Sequence, residues 1–325
     1  MKSCDVLIIG AGAAGMMCAI EAGKRGRNVL LVDHSEKIGR KILISGGGRC
    51  NFTNIYSGPE SFVSQNPQFC KSALARYKPS DFIELVNKHG IKFHEKKLGQ
   101  LFCDKSAQDI VRLLVEECNY ANNSIELGCT VESINRDKHF TVKTNKQIYE
   151  CESLVIATGG LSIPQIGATG LGYDLAKQFG LSIVETAPSL DGFNFNRNDL
   201  IRFESLAGVS IDSVVSCAGP KFRENILFTH NGLSGPASLQ ASLYWKQNKP
   251  IEIDLLPDIN SLEFLKQMRQ EKPKTQVKNI LAEVLPKRFA DEFCQYNKLT
   301  GNLSELSDKR LSEFAQVLKC WSDLS

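Results

Sequence analysis

Residues Val6–Gly15 read VLIIGAGAAG, and residues Val29–Asp33 read VLLVD. An apolar strand, a glycine turn, a helix, a second apolar strand and a terminal carboxylate follow one another, as in a βαβ unit that binds a dinucleotide. Gly10 permits the tight turn, Gly12 lets backbone N–H groups approach the phosphates, and Gly15 allows the helix to pack closely on the sheet. The stretch therefore predicts a Rossmann-like unit whose helix N-terminus faces a pyrophosphate.

The carboxylate that ends the second strand indicates which dinucleotide binds. Asp33 follows Gly15 at the separation where an acidic side chain accepts hydrogen bonds from ribose hydroxyls. A carboxylate favours a free 2′-hydroxyl over a 2′-phosphate, so NADP is the dinucleotide least expected here. Small residues also occur at Ala19 and Gly26, where they would keep the helix close to the sheet. This distinguishes the pattern from an incidental glycine turn.

The composition of the chain is that of an ordinary globular protein. Its 325 residues are 42% hydrophobic and 23% charged, and this length fits two domains or one domain with an insertion. The net charge of +3 is too small to indicate nucleic-acid binding, and no basic run alternates with aromatic residues. The sequence therefore predicts a soluble protein with no nucleic-acid partner.

Cysteine usage and hydropathy indicate the compartment. The eleven cysteines are scattered singly, without a C-x-x-C pair or zinc spacing, which predicts reduced thiols and no metal site. The N-terminal apolar stretch runs directly into the glycine turn and is no signal peptide. The longest uncharged run, Ser153–Tyr173, contains five glycines and Pro164, unlike a lipid-spanning helix. We therefore expect a cytoplasmic protein with no membrane partner.

A second glycine cluster, Gly46–Gly48, lies between Ser45 and Arg49. Three consecutive glycines are incompatible with the interior of a stable helix or strand. One interpretation is a backbone that passes close to a flat or phosphorylated ligand, with Arg40 or Lys41 near its charge. The alternative is a flexible surface loop.

The rest of the chain changes character twice. Helical segments with a short hairpin at Lys92–Cys103 precede alternating strand-like runs and a buried strand, Leu154–Ile156, that ends in a glycine turn. Short strand-like runs then dominate Gly192–Pro257, and polar helical segments follow. The chain is therefore predicted as α/β: a Rossmann-like domain over residues 1–187, a β-rich inserted domain over 188–259, and a small helical segment of the insertion over 260–325.

Four phrases of the sequence together are distinctive: Asp5–Asn54, His94–Cys103, Ile156–Ser162 and Leu227–Pro236. They resemble the HI0933-like flavoproteins, which are FAD-dependent oxidoreductases. The resemblance implies a cofactor site with Val131 offering backbone atoms to the adenine, and Thr158 and Gly159 beside the cofactor. The full predicted set is Gly10, Gly12, Ala13, Ala14, Gly15, Asp33, His34, Gly39, Arg40, Lys41, Ser45, Gly46, Gly47, Val131, Ala157, Thr158 and Gly159.

The chain departs from this family at its C-terminal end. Family members continue with a Gly-Glu turn for the ribityl chain and a helix N-terminus that faces the flavin. Without that return segment the charge that develops on the flavin lacks its stabilising dipole. We therefore expect weak FAD binding and poor turnover from this chain alone. The alternative function is an inactive or incomplete flavoprotein subunit that requires a C-terminal segment supplied by another chain.

The reaction itself is only partly constrained. A flavin transfers two electrons to or from a substrate, and NAD(P)H is the candidate transient donor. The chain has neither the second GxGxxG domain nor the C-x-x-x-x-C pair of disulfide reductases, and the phrase after Asp33 disfavours an NAD-dependent dehydrogenase. The resemblance implies a small organic substrate, through either reduction of a conjugated double bond, as in steroid-like enones, or oxidation of a small amine.

Three side chains are candidates for catalysis, and each has an alternative. Cys50 follows the glycine cluster, where Arg49 would favour its thiolate, but it also fits a small buried residue of a tight loop. Arg49 would bind an anionic substrate or brace the loop. His230 would donate a proton or hold the inserted domain in place. The sequence assigns the catalytic role to none of them.

Overall fold

The computed structural model describes residues 1–217, 219–246 and 249–322. Residues 323–325, which end the predicted helical segment, lie outside this part. The chain divides into two compact units, Met1–Glu185 and Thr186–Ser325. Among the described residues, no helix has both the length and the apolar character needed to cross a membrane.

The described elements of the first unit include nine strands and six α-helices, besides three short 3-10 helices at Ser45–Gly48, Pro59–Ser61 and Pro164–Ile166. These are β1 (Lys2–Ile9), α1 (Ala13–Gly23), β2 (Val29–Val32), α2 (Arg40–Ile44), β3 (Asn51–Asn54), α3 (Lys71–Arg76), α4 (Pro79–Lys88), β4 (Phe93–Glu95), β5 (Gln100–Cys103), α5 (Gln108–Tyr120), β6 (Ser124–Glu126), β7 (Val131–Arg136), β8 (Phe140–Thr144), β9 (Ile148–Ile156) and α6 (Leu171–Gln178).

A six-stranded sheet in the order β6-β2-β1-β9-β8-β7 forms the centre of this unit. Strands β6, β2, β1 and β9 are parallel, and β7 and β8 extend the sheet antiparallel. All four residues of β2 are buried, because both faces of a parallel sheet are covered by other elements of the fold. Helix α1 buries Met16, Ala19 and Ile20, which belong to one core cluster with residues of α5. The arrangement confirms the predicted Rossmann-like α/β architecture.

A smaller sheet in the order β3-β5-β4 lies in the same unit. The antiparallel pair β4–β5 confirms the hairpin predicted at Lys92–Cys103. Leu98 and Gly99 form its turn with φ of 51° and 77°, and the Gln100 N–H donates to the Lys97 carbonyl oxygen over 3.0 Å. Left-handed values at both central residues suit the twist of a two-residue hairpin turn.

The second unit combines a five-stranded antiparallel sheet, in the order β10-β13-β12-β11-β14, with helices. Its elements are β10 (Phe193–Asn194), α7 (Arg197–Phe203), β11 (Ser210–Ser216), β12 (Lys221–Phe228), β13 (Gly232–Ser234), α8 (Pro236–Ser242), β14 (Glu252–Asp254), α9 (Ser261–Glu271), α10 (Val277–Leu281), α11 (Lys287–Tyr296) and α12 (Asp308–Lys319). Strands and helices share one core, in which the fully buried Trp321 contacts Phe203, Phe228 and Phe289.

Candidate functional site

The segments that follow β1, β2 and β9 line a cavity of about 250 Å³ in the first unit. Open α/β sheets bind ligands at the carboxyl ends of their strands, where neighbouring connections leave in opposite directions. The cavity is lined by twelve of the residues predicted from sequence: Gly10, Gly12, Ala13, Ala14, Asp33, His34, Gly39, Arg40, Lys41, Ala157, Thr158 and Gly159.

Each of the three glycines of the first turn has a different structural role. Gly10 has φ +113°, and a Cβ there would lie 2.4 Å from the Ala157 carbonyl oxygen. A Cβ on Gly15 would lie 1.8 Å from the carbonyl oxygen of Gly10, so this glycine allows α1 to approach the turn without itself lining the cavity. Around Gly12 no atom lies within 4 Å of the Cβ position. The backbone at Gly12 is therefore open to a ligand.

Helix α1 begins directly at this open position. Gly12 is its N-cap and provides no side-chain acceptor for the first turn. The first backbone N–H groups of a helix lack partners within the helix, and its dipole places partial positive charge there. Ala13 and Ala14 carry these groups and line the cavity. This end of the cavity is suited to a pyrophosphate.

Asp33 braces the same turn. Its carboxylate accepts hydrogen bonds from the Ala11 N–H over 2.7 Å and from the Ser35 N–H over 2.8 Å. The His34 ring lies beside it, with Nδ1 3.5 Å from Asp33 Oδ1. A carboxylate has about four lone-pair sites, so oxygen positions remain for ribose hydroxyls. Asp33 thus supports both the backbone of the turn and the predicted ribose contact.

The cationic side of the cavity comes from the start of α2. Gly39 caps this helix with φ 66°, and its N–H donates to the Ala11 carbonyl oxygen over 3.2 Å. Lys41 Nζ donates to the Gly160 carbonyl oxygen and to Ser162 Oγ, both over 3.0 Å. Lys41 therefore ties α2 to the turn after β9, a contact that the sequence pattern did not indicate.

Sequence reasoning missed several residues of the cavity wall: Ala11, Ser35, Lys37, Ile42, Ile166, Gly167 and Ala168. Gly167 is the most constrained of them, with φ +89°. A Cβ there would lie 2.7 Å from His34 Nε2 and 3.5 Å from Arg40 Nη1. The glycine-rich run within Ser153–Tyr173 was the available signal, and it was used only to argue against a lipid-spanning helix.

The second glycine cluster lies outside this cavity, as do Ser45, Gly46, Gly47 and Val131. A Cβ on Gly46 would lie 2.8 Å from the Phe102 ring. The Cys50 N–H donates to the Ser45 carbonyl oxygen over 3.0 Å. The loop is therefore docked against strand β5. Val131 begins β7 and packs, half-buried, on a core cluster of the large sheet.

The three candidates for catalysis differ in their surroundings. Cys50 is buried and has φ 51°. Burial raises the pKa of its thiol, and a hydrogen bond with Ser45 offsets only part of that change. This favours the interpretation as a small buried residue over a reactive thiolate. Arg49 is exposed, and His230 is exposed on the second unit. No group of His, Cys, Asp and Glu suited to a metal ion occurs among the residues that the structure describes.

These features fit the ADP half of FAD. The open backbone at Gly12, the unpaired amides of α1, the Asp33 carboxylate and the cations of α2 together provide partners for a pyrophosphate and a ribose.

Relatives of the chain carry names that state a reaction. It is 51% identical over 314 residues to a ribosomal RNA dihydrouridine synthase of Escherichia coli strain K12, covering 96% of this chain and 78% of that protein. It is 43% identical over 318 residues to a protein of the same name from Haemophilus influenzae, covering 95% and 79%. A 3-dehydro-bile acid delta(4,6)-reductase of Clostridium scindens is 26% identical over 337 residues, covering 98% and 79%.

The first two relatives overturn one expectation. The sequence predicted a small-molecule substrate and no nucleic-acid partner, and this is wrong, because both relatives are named for ribosomal RNA. The prediction used the net charge of the whole chain, +3. Whole-chain charge averages over the surface, whereas RNA contacts depend on the local arrangement of cations and aromatic rings.

Family comparison covers both units. The family described as "HI0933-like protein Rossmann domain" matches residues 4–233, and "HI0933-like protein barrel and H2TH domain" matches residues 187–322. These matches confirm the resemblance seen in the sequence, together with FAD as the cofactor and oxidoreductase activity. The chain therefore belongs to the HI0933-like family of FAD-dependent oxidoreductases.

Proposed function

We propose that this protein reduces uridine in ribosomal RNA to dihydrouridine. The observation that carries the proposal is the 51% identity to the Escherichia coli ribosomal RNA dihydrouridine synthase over 96% of the chain. An alignment that covers 96% of the chain includes residues of both units.

The chemistry of uridine suits a flavin reductase. Its C5–C6 double bond is conjugated with the C4 carbonyl group, so addition of hydride at C6 and of a proton at C5 gives dihydrouridine. Reduced FAD, when bound, would supply this hydride as the two-electron donor. The Clostridium scindens relative is also named as a reductase, a 3-dehydro-bile acid delta(4,6)-reductase. The sequence left two reactions open, reduction of a conjugated double bond and oxidation of a small amine. We adopt the first.

The chain's own residues hold the cofactor in this scheme. The amides at Gly12 and the start of α1 receive the pyrophosphate, and Asp33 receives the ribose. Lys41 keeps the turn after β9 against α2 through its two hydrogen bonds. These contacts would orient the ADP half of the dinucleotide.

The test uses unmodified ribosomal RNA transcribed in vitro. The purified protein is supplied with FAD and the RNA under anaerobic conditions, with NADH or NADPH as reductant, and the RNA is digested to nucleosides for mass spectrometry. We expect dihydrouridine in the complete reaction, at the low turnover that the sequence predicts for this chain alone, and none without reductant. If the flavin is bound and reduced and no dihydrouridine forms in any ribosomal RNA, the proposal is wrong.

A further inference from the structure

We propose that an exposed surface of the first unit binds the RNA by stacking an unpaired base on Tyr56 and placing Lys96 and Lys97 against neighbouring phosphates. We call this surface the Tyr56 surface and define it by Tyr56, Phe62, Phe69, Lys96, Lys97 and Leu98. The inference rests on the proposed function, since it identifies where the RNA substrate is held.

Large apolar side chains stand out into solvent on this surface. Tyr56 is 70% exposed, Phe69 83% and Leu98 60%. They occur in the stretch from residue 55 to 78 and at the nearby hairpin tip, where nearly every residue is exposed. Isolated exposed apolar residues are common, but several on adjoining segments mark a binding surface.

Hydrogen bonds join the loop and the hairpin tip. Asn54 Nδ2 donates to the Leu98 carbonyl oxygen, and the Ile55 N–H donates to the Gly99 carbonyl oxygen, each over 2.9 Å. A Cβ on Gly99 would lie 2.6 Å from Cδ2 of Tyr56, so the ring rests directly on the turn. The Tyr56 ring is therefore held in place while most of its surface remains open.

Phe62 and Phe69 belong to the segment that follows Tyr56. Cys70 Sγ lies 3.9 Å from the Pro59 carbonyl oxygen, which brings the two ends of the loop together. Phe62 comes shortly after this contact and Phe69 directly before Cys70. The aromatic rings thus occur on segments that are connected to the Tyr56 turn.

The charge on this surface favours a polyanion. Lys96 and Lys97 are exposed beside the hairpin turn, and Lys71 is exposed next to Cys70. The acidic groups are Glu60, which is exposed, and Glu95, whose Oε1 accepts a hydrogen bond from the Gly99 N–H over 2.8 Å. Cations therefore outnumber carboxylates around the exposed rings.

Aromatic faces beside lysines suit single-stranded RNA. Every base offers a flat face for stacking, and sequence-specific recognition of RNA uses unpaired bases on aromatic side chains. An anionic membrane also attracts lysines and aromatic rings, but binding there usually requires an amphipathic helix with an apolar face. The helix in this loop, α3, has only six residues and buries none of them. RNA is the occupant that these features favour.

Strand β5 connects this surface to the second glycine cluster. It begins at the hairpin turn and ends near that cluster, where the Phe102 ring meets the Cβ position of Gly46 at 2.8 Å. The hairpin turn is therefore joined to the rest of the first unit through a paired strand, which gives the bound RNA a fixed support.

The test compares variants of the surface with matched controls. Binding of a fluorescein-labelled oligouridylate RNA is measured by fluorescence anisotropy over a series of salt concentrations. Tyr56→Ala, Tyr56→Phe and the double variant Lys96→Ala/Lys97→Ala are compared with Tyr120→Ala and Lys138→Ala. Tyr120 is 73% exposed and Lys138 is exposed at the β7–β8 turn, so both match the test residues in type and exposure.

We expect Tyr56→Ala to weaken RNA binding about tenfold and Tyr56→Phe to retain it, because stacking needs the ring and not the hydroxyl. The double lysine variant should lower the slope of log affinity against log salt by about 1.4, the value for two phosphate contacts on a single strand. The controls should bind as the unaltered protein does. FAD content measured by absorbance should remain unchanged in every variant.

The outcomes separate the two proposals. If the variants bind RNA and form dihydrouridine as well as the controls do, the surface assignment is wrong and the proposed function stands. If RNA binds through these residues but no dihydrouridine forms in ribosomal RNA, the function is wrong and the surface stands. Binding to vesicles of phosphatidylglycerol and phosphatidylcholine through these residues, without RNA binding, overturns the surface assignment in favour of a membrane.

Discussion

The Asp33 carboxylate accepts a hydrogen bond of 2.7 Å from the backbone N–H of Ala11, so the end of β2 is tied to the glycine turn after β1. A second bond, from the Ser35 N–H, fixes the other carboxylate oxygen. The acid is therefore part of the turn's structure before any ligand binds. A change at Asp33 should affect the cofactor through the turn as well as through the ribose.

For Asp33→Ala we expect the affinity for FAD to fall at least tenfold, because hydrogen bonds to a charged acceptor contribute about 1.5–3 kcal/mol. The dissociation constant is measured from flavin fluorescence during titration of the protein. Asp137→Ala, at an exposed turn between β7 and β8, is the control and should bind FAD normally. Equal affinities for the two variants would exclude Asp33 from the cofactor site.

The two glycines of the turn should respond differently to alanine. Gly12→Ala meets no atom within 4 Å, so the melting temperature without cofactor should stay unchanged while FAD binding weakens. Gly10→Ala would place its Cβ 2.4 Å from the Ala157 carbonyl oxygen at φ +113°, and we expect a loss of about 2 kcal/mol or more in unfolding free energy. Thermal and urea unfolding, with FAD titration, distinguish the effects. Normal FAD affinity in Gly12→Ala would contradict a pyrophosphate at this turn.

Lys41 and Ser162 should be energetically coupled. The 3.0 Å hydrogen bond between them joins α2 to the segment after β9. A double-mutant cycle with Lys41→Met and Ser162→Ala should give a coupling of about 0.5–1 kcal/mol in FAD binding free energy. Additive effects would mean that this contact does not support the site. Ser64→Ala, on an exposed loop, serves as the control for the serine change.

A buried ion cluster should make stability depend on pH. Burial alone would raise the pKa of Glu117, but hydrogen bonds from Lys88 and His89 outweigh it and hold the pKa below its ordinary 4.5. The unfolded chain then takes up this proton at higher pH than the folded chain. The contribution of Glu117 to stability is therefore complete above about pH 4.5 and is lost as the pH falls through the lower, folded value.

We expect Glu117→Gln to flatten the loss of unfolding free energy on acidification, as measured by urea unfolding across this acidic range. The neighbouring Glu116→Gln is the matched control, since Glu116 also contacts His89 but is 42% exposed. If Glu117→Gln and the unaltered protein lose stability in parallel on acidification, Glu117 is not the responsible group.

Cys50→Ala should retain dihydrouridine formation to within about threefold. The thiol is buried and its pKa is raised, so it is a poor nucleophile at neutral pH. The measurement is the initial rate of dihydrouridine formation at saturating reductant, with Cys118→Ala as a control for loss of a buried thiol. A loss of activity confined to Cys50→Ala, with FAD still bound, would assign this residue a catalytic role.

Sequence patterns predicted those parts of the site that depend on neighbouring residues. The glycine turn between β1 and α1 follows from the backbone angles and close contacts that Gly10 and Gly15 alone permit. The β4–β5 hairpin follows from strand-like residues on either side of Leu98 and Gly99. Such patterns repeat over a few residues and require no knowledge of the rest of the chain.

Other parts of the candidate site depend on contacts between residues that are far apart in the chain, and the sequence patterns did not predict them. Gly167 was absent from the predicted cofactor set, because only the fold brings it against His34 and Arg40. The expectation of no nucleic-acid partner was wrong because it rested on net charge, which contains no information on the local arrangement of cations and aromatic rings. The separation of two residues along the chain does not indicate how far apart they lie in the folded protein.

The sequence by itself determined the parallel βαβ unit, its dinucleotide chemistry and its family, because these depend on φ angles, residue size and alternation within short stretches. Only the tertiary structure decided that Lys41 reaches Gly160, separated by 119 residues, and that Asn54 and Leu98, separated by 44, present Tyr56 to solvent. Such contacts form when the whole sheet and its connections pack together, so no local pattern encodes them.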